Sequence, residues 1–214
     1  MTGRAIAYAA SLALLAGAAA AQSHDHHGHG ANAAPKVAPS GDIGPFPVNI
    51  GGPFQLTDAD GRSVNSQQDF TGRVVMLFFG YARCPGICPT ALDAMEAAID
   101  LLPGEKADKV QPVMITIDPG HDTAEILRTE FSREHPRIMG LTGSEAQIKT
   151  ATDAYKINKV LVHTTEKGEP VYAHGSWIYL LDGTGGLSAV LPPNASAEDI
   201  AVAVGRRLRP SAHQ

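Results

Sequence analysis

The chain has only two cysteines, Cys84 and Cys88, and three residues separate them. The apolar run 74–79 before them is β-branched and aromatic and is closed by Gly80, which predicts a buried strand. After the pair, apolar residues recur at helical spacing, which predicts a helix: Leu92, Met95, Ile99 and Leu102. A turn between this strand and helix places the thiols at a helix N-terminus, where unpaired N–H groups and the helix dipole favour the thiolate. The thiolate is the form that exchanges disulfides and binds metal ions.

A structural disulfide is the alternative interpretation of a lone cysteine pair in an exported protein. A bridge between Cys84 and Cys88 would close a very short loop, so it would remove little entropy from the unfolded chain. The pair is also predicted to lie on a solvent-facing turn. The pattern therefore favours a chemical role for the two thiols.

Two thiolates leave the coordination of a metal incomplete, so a third donor is needed. His174 stands just before a predicted strand at 175–181, and loops that flank central strands of an α/β sheet converge on one edge. His163 follows a predicted strand, and His121 lies beside a predicted helix start. His135 and His213 are the other histidines beyond the N-terminal region. Sequence spacing leaves the choice among these histidines open.

Residues 1–21 have the pattern of a secretory signal peptide: one charge at Arg4, an Ala/Leu-rich core and small residues at 18–21. The core is short for a membrane span, which needs about 20 apolar residues, although an uncleaved anchor is the alternative. We therefore expect a periplasmic protein, associated with the membrane only if this segment is uncleaved. Thiols in that compartment need a reductant to stay reduced.

Residues 22–47 lack a periodic apolar pattern and predict a flexible tail and linker. The segment is rich in histidine, which predicts a secondary metal-binding tract: His24, His26, His27 and His29. If cleavage follows Ala21, the new amine, two backbone amides and the imidazole of His24 form a four-nitrogen set that suits Cu(II). Loose, unselective binding by the four histidines is the alternative.

Residues 48–209 predict one globular domain, followed by a short C-terminal tail at 210–214. The whole chain is 43% hydrophobic and 18% charged, as expected for a compact fold. The formal net charge is −5 and no basic patch is evident, which argues against nucleic acid as a partner.

The order of predicted elements indicates an α/β domain. Strands are predicted at 53–56 and 62–64 as a hairpin, and then at 74–79, 110–117, 138–141, 157–162 and 175–181. Asp122 with Glu125, and Ser144 with Gln147, have capping-box spacing, and Ser196 is predicted to cap the last helix. Alternating helices and strands with a late hairpin predict a mixed central sheet with helices on both faces.

The chain resembles the Sco/SenC family of copper-handling proteins. The matching segments are 52–61, 78–81, the Cys-Pro-x-x-Cys-Pro segment 84–89, 116–119 with 122–123, and His174 with 179–180 and Asp182. The resemblance implies a thioredoxin-like fold and a copper site formed by Cys84, Cys88 and His174. It also implies delivery of copper to the dinuclear centre of cytochrome c oxidase. The chain departs from the family pattern at Gly86, usually acidic, and at Ala82, usually threonine.

The implied ligand set is consistent with copper, since thiolates suit Cu(I) and an added imidazole also allows Cu(II). Zinc is the rival metal, but structural zinc normally takes four protein ligands. Binding requires reduced cysteines, so a thiol reductant is an expected partner, beside the oxidase copper subunit or another copper acceptor. The sequence therefore favours an exported copper metallochaperone over an enzyme.

A thiol–disulfide oxidoreductase acting on periplasmic cysteine pairs is the alternative. In that function Cys84 attacks a disulfide and Cys88 resolves the mixed intermediate, without a role for His174. The three-residue gap departs from the usual Cys-x-x-Cys spacing. A peroxidase is disfavoured, because Tyr81 stands where a threonine or serine is needed before the reactive cysteine.

Overall fold

The computed structural model describes residues 49–208. Its strands are β1 (Gln55–Asp58), β2 (Ser63–Asn65), β3 (Val74–Gly80), β4 (Val110–Thr116), β5 (Met139–Thr142), β6 (Lys159–Thr164), β7 (Pro170–His174), β8 (Ile178–Leu181) and β9 (Leu187–Leu191). The predictions for 1–21, 22–47 and 210–214 lie outside the described residues. The same holds for the histidines in them: His24, His26, His27, His29 and His213.

Seven of the strands form one mixed sheet in the order β2-β1-β5-β4-β3-β8-β9. The central strands β3, β4 and β5 are parallel, whereas β1 and β8 join them antiparallel. All seven residues of β3 are buried, as its apolar run predicts for a central strand covered on both faces.

The helices lie on both faces of this sheet. They are α1 (Ser66–Asp69), α2 (Cys88–Asp100), α3 (Gly104–Ala107), α4 (Ala124–Ile126), a π-helical turn (Leu127–Phe131), α5 (Ser132–Glu134), α6 (Glu145–Ala154) and α7 (Ala197–Arg207). One apolar cluster packs β3 side chains such as Met76 and Phe78 against α2 and α7. The other packs Leu77 and Phe79 against α6 on the opposite face. The alternating side chains of β3 thus anchor both layers, and the predicted mixed sheet covered on both faces is confirmed.

Strands β6 and β7 form a separate two-stranded antiparallel sheet. Every residue of β6 is exposed, and β7 is only partly buried. A short link, residues 175–177, joins β7 to β8 and contains Trp177, which is 48% exposed. The predicted strand at 175–181 is therefore shorter than expected, because the link interrupts it before Ile178.

The prediction that Asp122 caps a helix is wrong. The cap is Thr123, whose hydroxyl accepts the N–H of Ile126 as α4 begins. The capping box of Ser144 with Gln147 and the cap at Ser196 are confirmed. None of the helices within 49–208 is long and apolar enough to cross a bilayer.

Candidate metal centre

The two cysteines lie in the turn that joins β3 to α2. Cys88 is the first residue of α2 and is buried, while Cys84 is half-buried in the turn and donates its N–H to the Tyr81 carbonyl at 3.2 Å. The thiols thus lie at a helix N-terminus, as predicted. Gly80 ends β3 beside them, and a Cβ there would lie 3.2 Å from Cys88 Sγ. The absence of a side chain at Gly80 lets this sulfur pack against the strand.

His174 is the last residue of β7, and its side chain lies beside the two cysteines. Its Nε2 lies 3.6 Å from Cys88 Sγ, and the donor atoms of Cys84, Cys88 and His174 all lie within 4.8 Å of one another. Two donors bound to one metal at about 2.0 and 2.3 Å are roughly 3.5 Å apart in tetrahedral geometry. The three donors therefore need only small movements to share one ion.

The orientation of the His174 ring is set by its other nitrogen. Nδ1 lies 3.0 Å from the Gly175 carbonyl oxygen, which can only accept a hydrogen bond. Nδ1 therefore carries the proton in the neutral ring, and Nε2 presents its lone pair to the sulfurs. Such a hydrogen bond from a backbone carbonyl is a common way to fix the tautomer of a metal-binding histidine.

Two tyrosines and a lysine hold the β6–β7 hairpin against the main sheet. Tyr81 accepts the N–H of Tyr172 on its hydroxyl at 3.2 Å, and its ring meets those of Tyr172 and His174 edge to face. Lys159 donates to the Ile117 carbonyl at 2.5 Å and lies over the Tyr172 ring at 4.9 Å. These contacts position the base of the hairpin, and with it His174.

Asp122 connects the turn that contains Cys84 and Cys88, here called the cysteine turn, to strand β4. It accepts the N–H of Ala82 at 2.9 Å and the hydroxyl of Thr116 at 2.6 Å on the same oxygen. Burial raises the pKa of Asp122, and the two hydrogen bonds oppose that shift. This role of Asp122 is not evident from the sequence, because its spacing to Glu125 matches that of a helix cap.

Arg83 joins the cysteine turn to two other elements. Its guanidinium makes a paired contact with Glu130, with Nε 2.8 Å from Oε2, and its Nη1 lies 3.5 Å from Glu169 beside β7. These groups are all substantially exposed, so each ion pair contributes little to stability. Arg83 therefore serves mainly to set the position of the turn relative to the hairpin.

The two thiols differ sharply in acidity. Hydrogen bonding from the Cys88 thiol, with help from backbone N–H groups, lowers the pKa of Cys84 to about 4, although burial opposes the shift. The pKa of Cys88 is raised, because this thiol holds the proton shared with Cys84 and is itself buried. Burial raises the pKa of Tyr81 to about 12, so its phenol beside the thiols is neutral at physiological pH.

The other candidate histidines of the described residues lie elsewhere. His121 contacts Asp118 at 2.9 Å, His135 is buried beside Glu96, and His163 lies exposed on β6. Among residues 49–208, His174 is the histidine that the fold groups with both cysteines.

Comparison with known proteins agrees with this geometry. The chain is 41% identical to an SCO2-like protein of Rickettsia conorii over 140 residues, which are 64% of this chain and 67% of the relative. It superposes on copper-bound ScoI of Bradyrhizobium japonicum with a TM-score of 0.67 and 33% identity, covering 74% of this chain and 99% of that one. For copper-bound yeast Sco1 the TM-score is 0.68 and the identity 27%, covering 77% and 92% of the two chains. The SCO1/SenC family model matches residues 44–209, and the chain therefore belongs to the SCO1/SenC family.

Proposed function

We propose that this protein is a copper metallochaperone that binds copper as cargo through Cys84, Cys88 and His174. The observation that carries the proposal is the meeting of two thiols and one imidazole nitrogen within 4.8 Å. Two solved relatives of similar fold are described with copper bound, which supports copper over other metals.

The arrangement explains how one site accepts copper in two oxidation states. Two thiolates satisfy Cu(I), and the imidazole adds a nitrogen donor that stabilises Cu(II). Three protein donors leave room for an incoming ligand, so copper can pass to an acceptor by ligand exchange. The low pKa of Cys84 keeps one thiolate ready at neutral pH, and metal binding displaces the proton held by Cys88.

The acceptor that we propose is the copper-bearing subunit of cytochrome c oxidase, in line with the assembly role of the family. The cysteines must be reduced before copper binds, so a thiol reductant is the second partner. We further propose that residues 1–21 direct the protein to the periplasm, that 22–47 form a histidine-rich linker, and that 48–209 form the copper-binding domain. This organisation rests on the sequence patterns alone.

The proposal is tested by titrating the reduced full chain with Cu(II) and following thiolate-to-copper charge-transfer absorption, which histidine tails do not give. His174→Ala should weaken copper binding by at least about tenfold. Removing a residue that only orients a metal ligand typically lowers metal affinity by about 10–100-fold, and removing the ligand itself should cost at least as much. His163→Ala is the matched control, because it removes an exposed imidazole from the same hairpin. The same titration is repeated with Cu(I) and a competing Cu(I) chelator, and equal affinity of His174→Ala and the parent for both copper states would refute the ligand assignment.

A second candidate is thiol–disulfide exchange with periplasmic cysteine pairs. It is favoured by the pairing of an accessible, acidic Cys84 with a buried, weakly acidic Cys88, which suits an attacking and a resolving thiol. Oxidase assembly in cells separates the two functions. His174→Ala should abolish assembly if copper delivery is the function, whereas full assembly with His174→Ala and none with Cys84→Ser would establish thiol exchange.

A further inference from the structure

A second group of metal-binding side chains lies on α2, away from the two thiols. Asp93 and Glu96 are three residues apart, so they lie on one face of the helix. His135, which follows α5, points its Nδ1 at both: it is 3.3 Å from Glu96 Oε2 and 3.7 Å from Asp93 Oδ1. All three donor atoms lie within 4.8 Å of one another.

The neighbours of this group hold two of its donors in place. The His135 side chain is only 7% exposed, and its ring packs on Phe131 with centroids 5.3 Å apart. Glu96 accepts the N–H of Arg137 on Oε1 at 2.9 Å, which leaves Oε2 directed at the imidazole. Asp93 is 72% exposed and completes the group from the solvent side.

The charges of the group are not balanced by the protein. Over residues 49–208, the ion pairs give neither Asp93 nor Glu96 a lysine or arginine partner; Arg137 pairs with Asp100 instead. A metal ion would displace the proton that Nδ1 directs at the two carboxylates, and its ligands would then be one imidazole nitrogen and two carboxylate oxygens. Two carboxylates outweigh one imidazole, so the group carries excess negative charge. A divalent cation would neutralise it.

This group also borders the cysteine turn. The residues that line one cavity of about 250 Å³ include both thiols and His135: Cys84, Cys88, Leu92, Glu130, Glu134 and His135. An ion held by His135 would thus lie beside a cavity that the two thiols also line.

We propose that Asp93, Glu96 and His135 form a second metal site, selective for divalent transition ions and strongest for Cu(II). One imidazole and two carboxylates are donors that Cu(II), Ni(II) and Zn(II) accept, and Cu(II) binds such sets most tightly. Ligands at about 2.0–2.2 Å from an ion are roughly 3.0–3.5 Å apart, depending on the coordination geometry, which is close to the 3.3 and 3.7 Å from His135 Nδ1 to the two carboxylates. The site would hold Cu(II) at a cavity that the two thiols also line, and it uses none of the ligands of the thiolate site.

A structural ion pair between His135 and Glu96 is the competing explanation for the group. The exposed Asp93 distinguishes the two, because it adds little to a buried pair yet is one of three metal ligands. Asp93→Asn changes only one exposed atom, so the variant should fold. Glu105→Gln is the matched control: it removes one negative charge from an exposed carboxylate in α3 and leaves the ion pair of Arg137 with Asp100 intact.

The experiment uses the full chain with Cys84→Ser and Cys88→Ser, which removes the thiolates from competition. Cu(II) is added in small amounts, and the broadening of backbone amide NMR signals locates the ion regardless of binding in the tail. We expect selective broadening around Asp93, Glu96, His135 and Arg137. Asp93→Asn should raise the Cu(II) concentration needed for this broadening at least about tenfold, whereas Glu105→Gln should leave it unchanged.

Two outcomes would overturn the proposal. One is an absence of selective broadening around this group in the parent background. The other is an equal effect of Asp93→Asn and Glu105→Gln, which would indicate general attraction of cations to exposed carboxylates. Because the thiolates are absent, either result is independent of the function proposed for Cys84 and Cys88.

Discussion

Cys84 and Cys88 together make the stability of the reduced protein depend on pH. The pKa of Cys84 falls from an ordinary value of 9.0 to about 4 on folding, so between these values the unfolded chain binds more protons than the folded one. Stability should therefore rise with pH through this window and be lost as pH falls toward 4. Above pH 9 the trend reverses, because the raised pKa of Cys88 keeps a proton on the folded protein.

The measurement is urea unfolding of the reduced parent and of Cys84→Ser at pH 5 and pH 8. The parent should gain stability relative to Cys84→Ser between the two pH values, since the variant lacks the shifted thiol. A difference that stays constant between pH 5 and pH 8 would show that Cys84 is not a thiolate in the folded protein.

Individual site residues differ in how far the sequence identifies them. The cysteines are evident from the sequence, because a strand before them and a helix after them define their position. His174 is not, since it lies 86 positions after Cys88 and spacing cannot show which histidine a distant hairpin brings back to the cysteines. Its selection depended on the family resemblance. The group of Asp93, Glu96 and His135 was also missed, as His135 joins α2 only through tertiary packing.

At the scale of elements, the junction of β3 and α2 sets the position of the Cys88 sulfur. In Gly80→Ala the new methyl would lie 2.9 Å from the Phe78 ring and 3.2 Å from Cys88 Sγ, so one or both must shift. We expect a loss of about 1–3 kcal/mol in the free energy of unfolding, typical of overpacking a core. Copper affinity should fall as well, because the displaced sulfur is one of the proposed ligands.

Gly205→Ala is the control for this variant. Gly205 lies inside α7, and a Cβ there meets no other atom within 4 Å. Alanine should therefore stabilise the helix by about 0.5–1 kcal/mol and leave copper binding unchanged. If Gly80→Ala also binds copper like the parent, the close packing at Gly80 does not position the ligand.

The elements that the sequence predicted well are those whose burial dictates their composition. Strand β3 is covered on both faces, so it is continuously apolar and easily found. Strand β7 escaped prediction, because neither face of its hairpin is fully buried and no clear alternation marks it. The local spacing of Asp122 and Glu125 predicts a helix cap. In the structure, Asp122 instead accepts hydrogen bonds from Thr116 of β4 and from Ala82 of the cysteine turn.

At the scale of the whole molecule, the proposed ligands come from two parts of unequal burial. Cys84 and Cys88 belong to the core junction of the seven-stranded sheet, while His174 belongs to the exposed two-stranded sheet. Regions with few buried apolar contacts open at lower free energy than the core. The amides of β6 and β7 should therefore exchange hydrogen faster than those of β3 and α2 in the copper-free protein.

Copper should slow exchange in β7, because the ion would tie His174 to the cysteine turn. Strand β9 is the internal control, since it is also an edge strand but lies at the far side of β8 from the proposed site. Exchange measured by mass spectrometry before and after copper loading checks this expectation. Equal protection of β7 and β9 by copper would contradict a ligand on the hairpin.

Trp177 provides an intrinsic fluorescence probe of copper at the proposed site. It is the chain's only tryptophan, and it lies three residues after His174 in the link to β8. The two Cα atoms are therefore about 11 Å apart or less. Cu(II) quenches indole emission over such distances, so Cu(II) bound at His174 should reduce the intensity of the Trp177 fluorescence without any added label. Stopped-flow mixing with an acceptor would then record the recovery of emission as copper leaves, which gives the rate of handover directly.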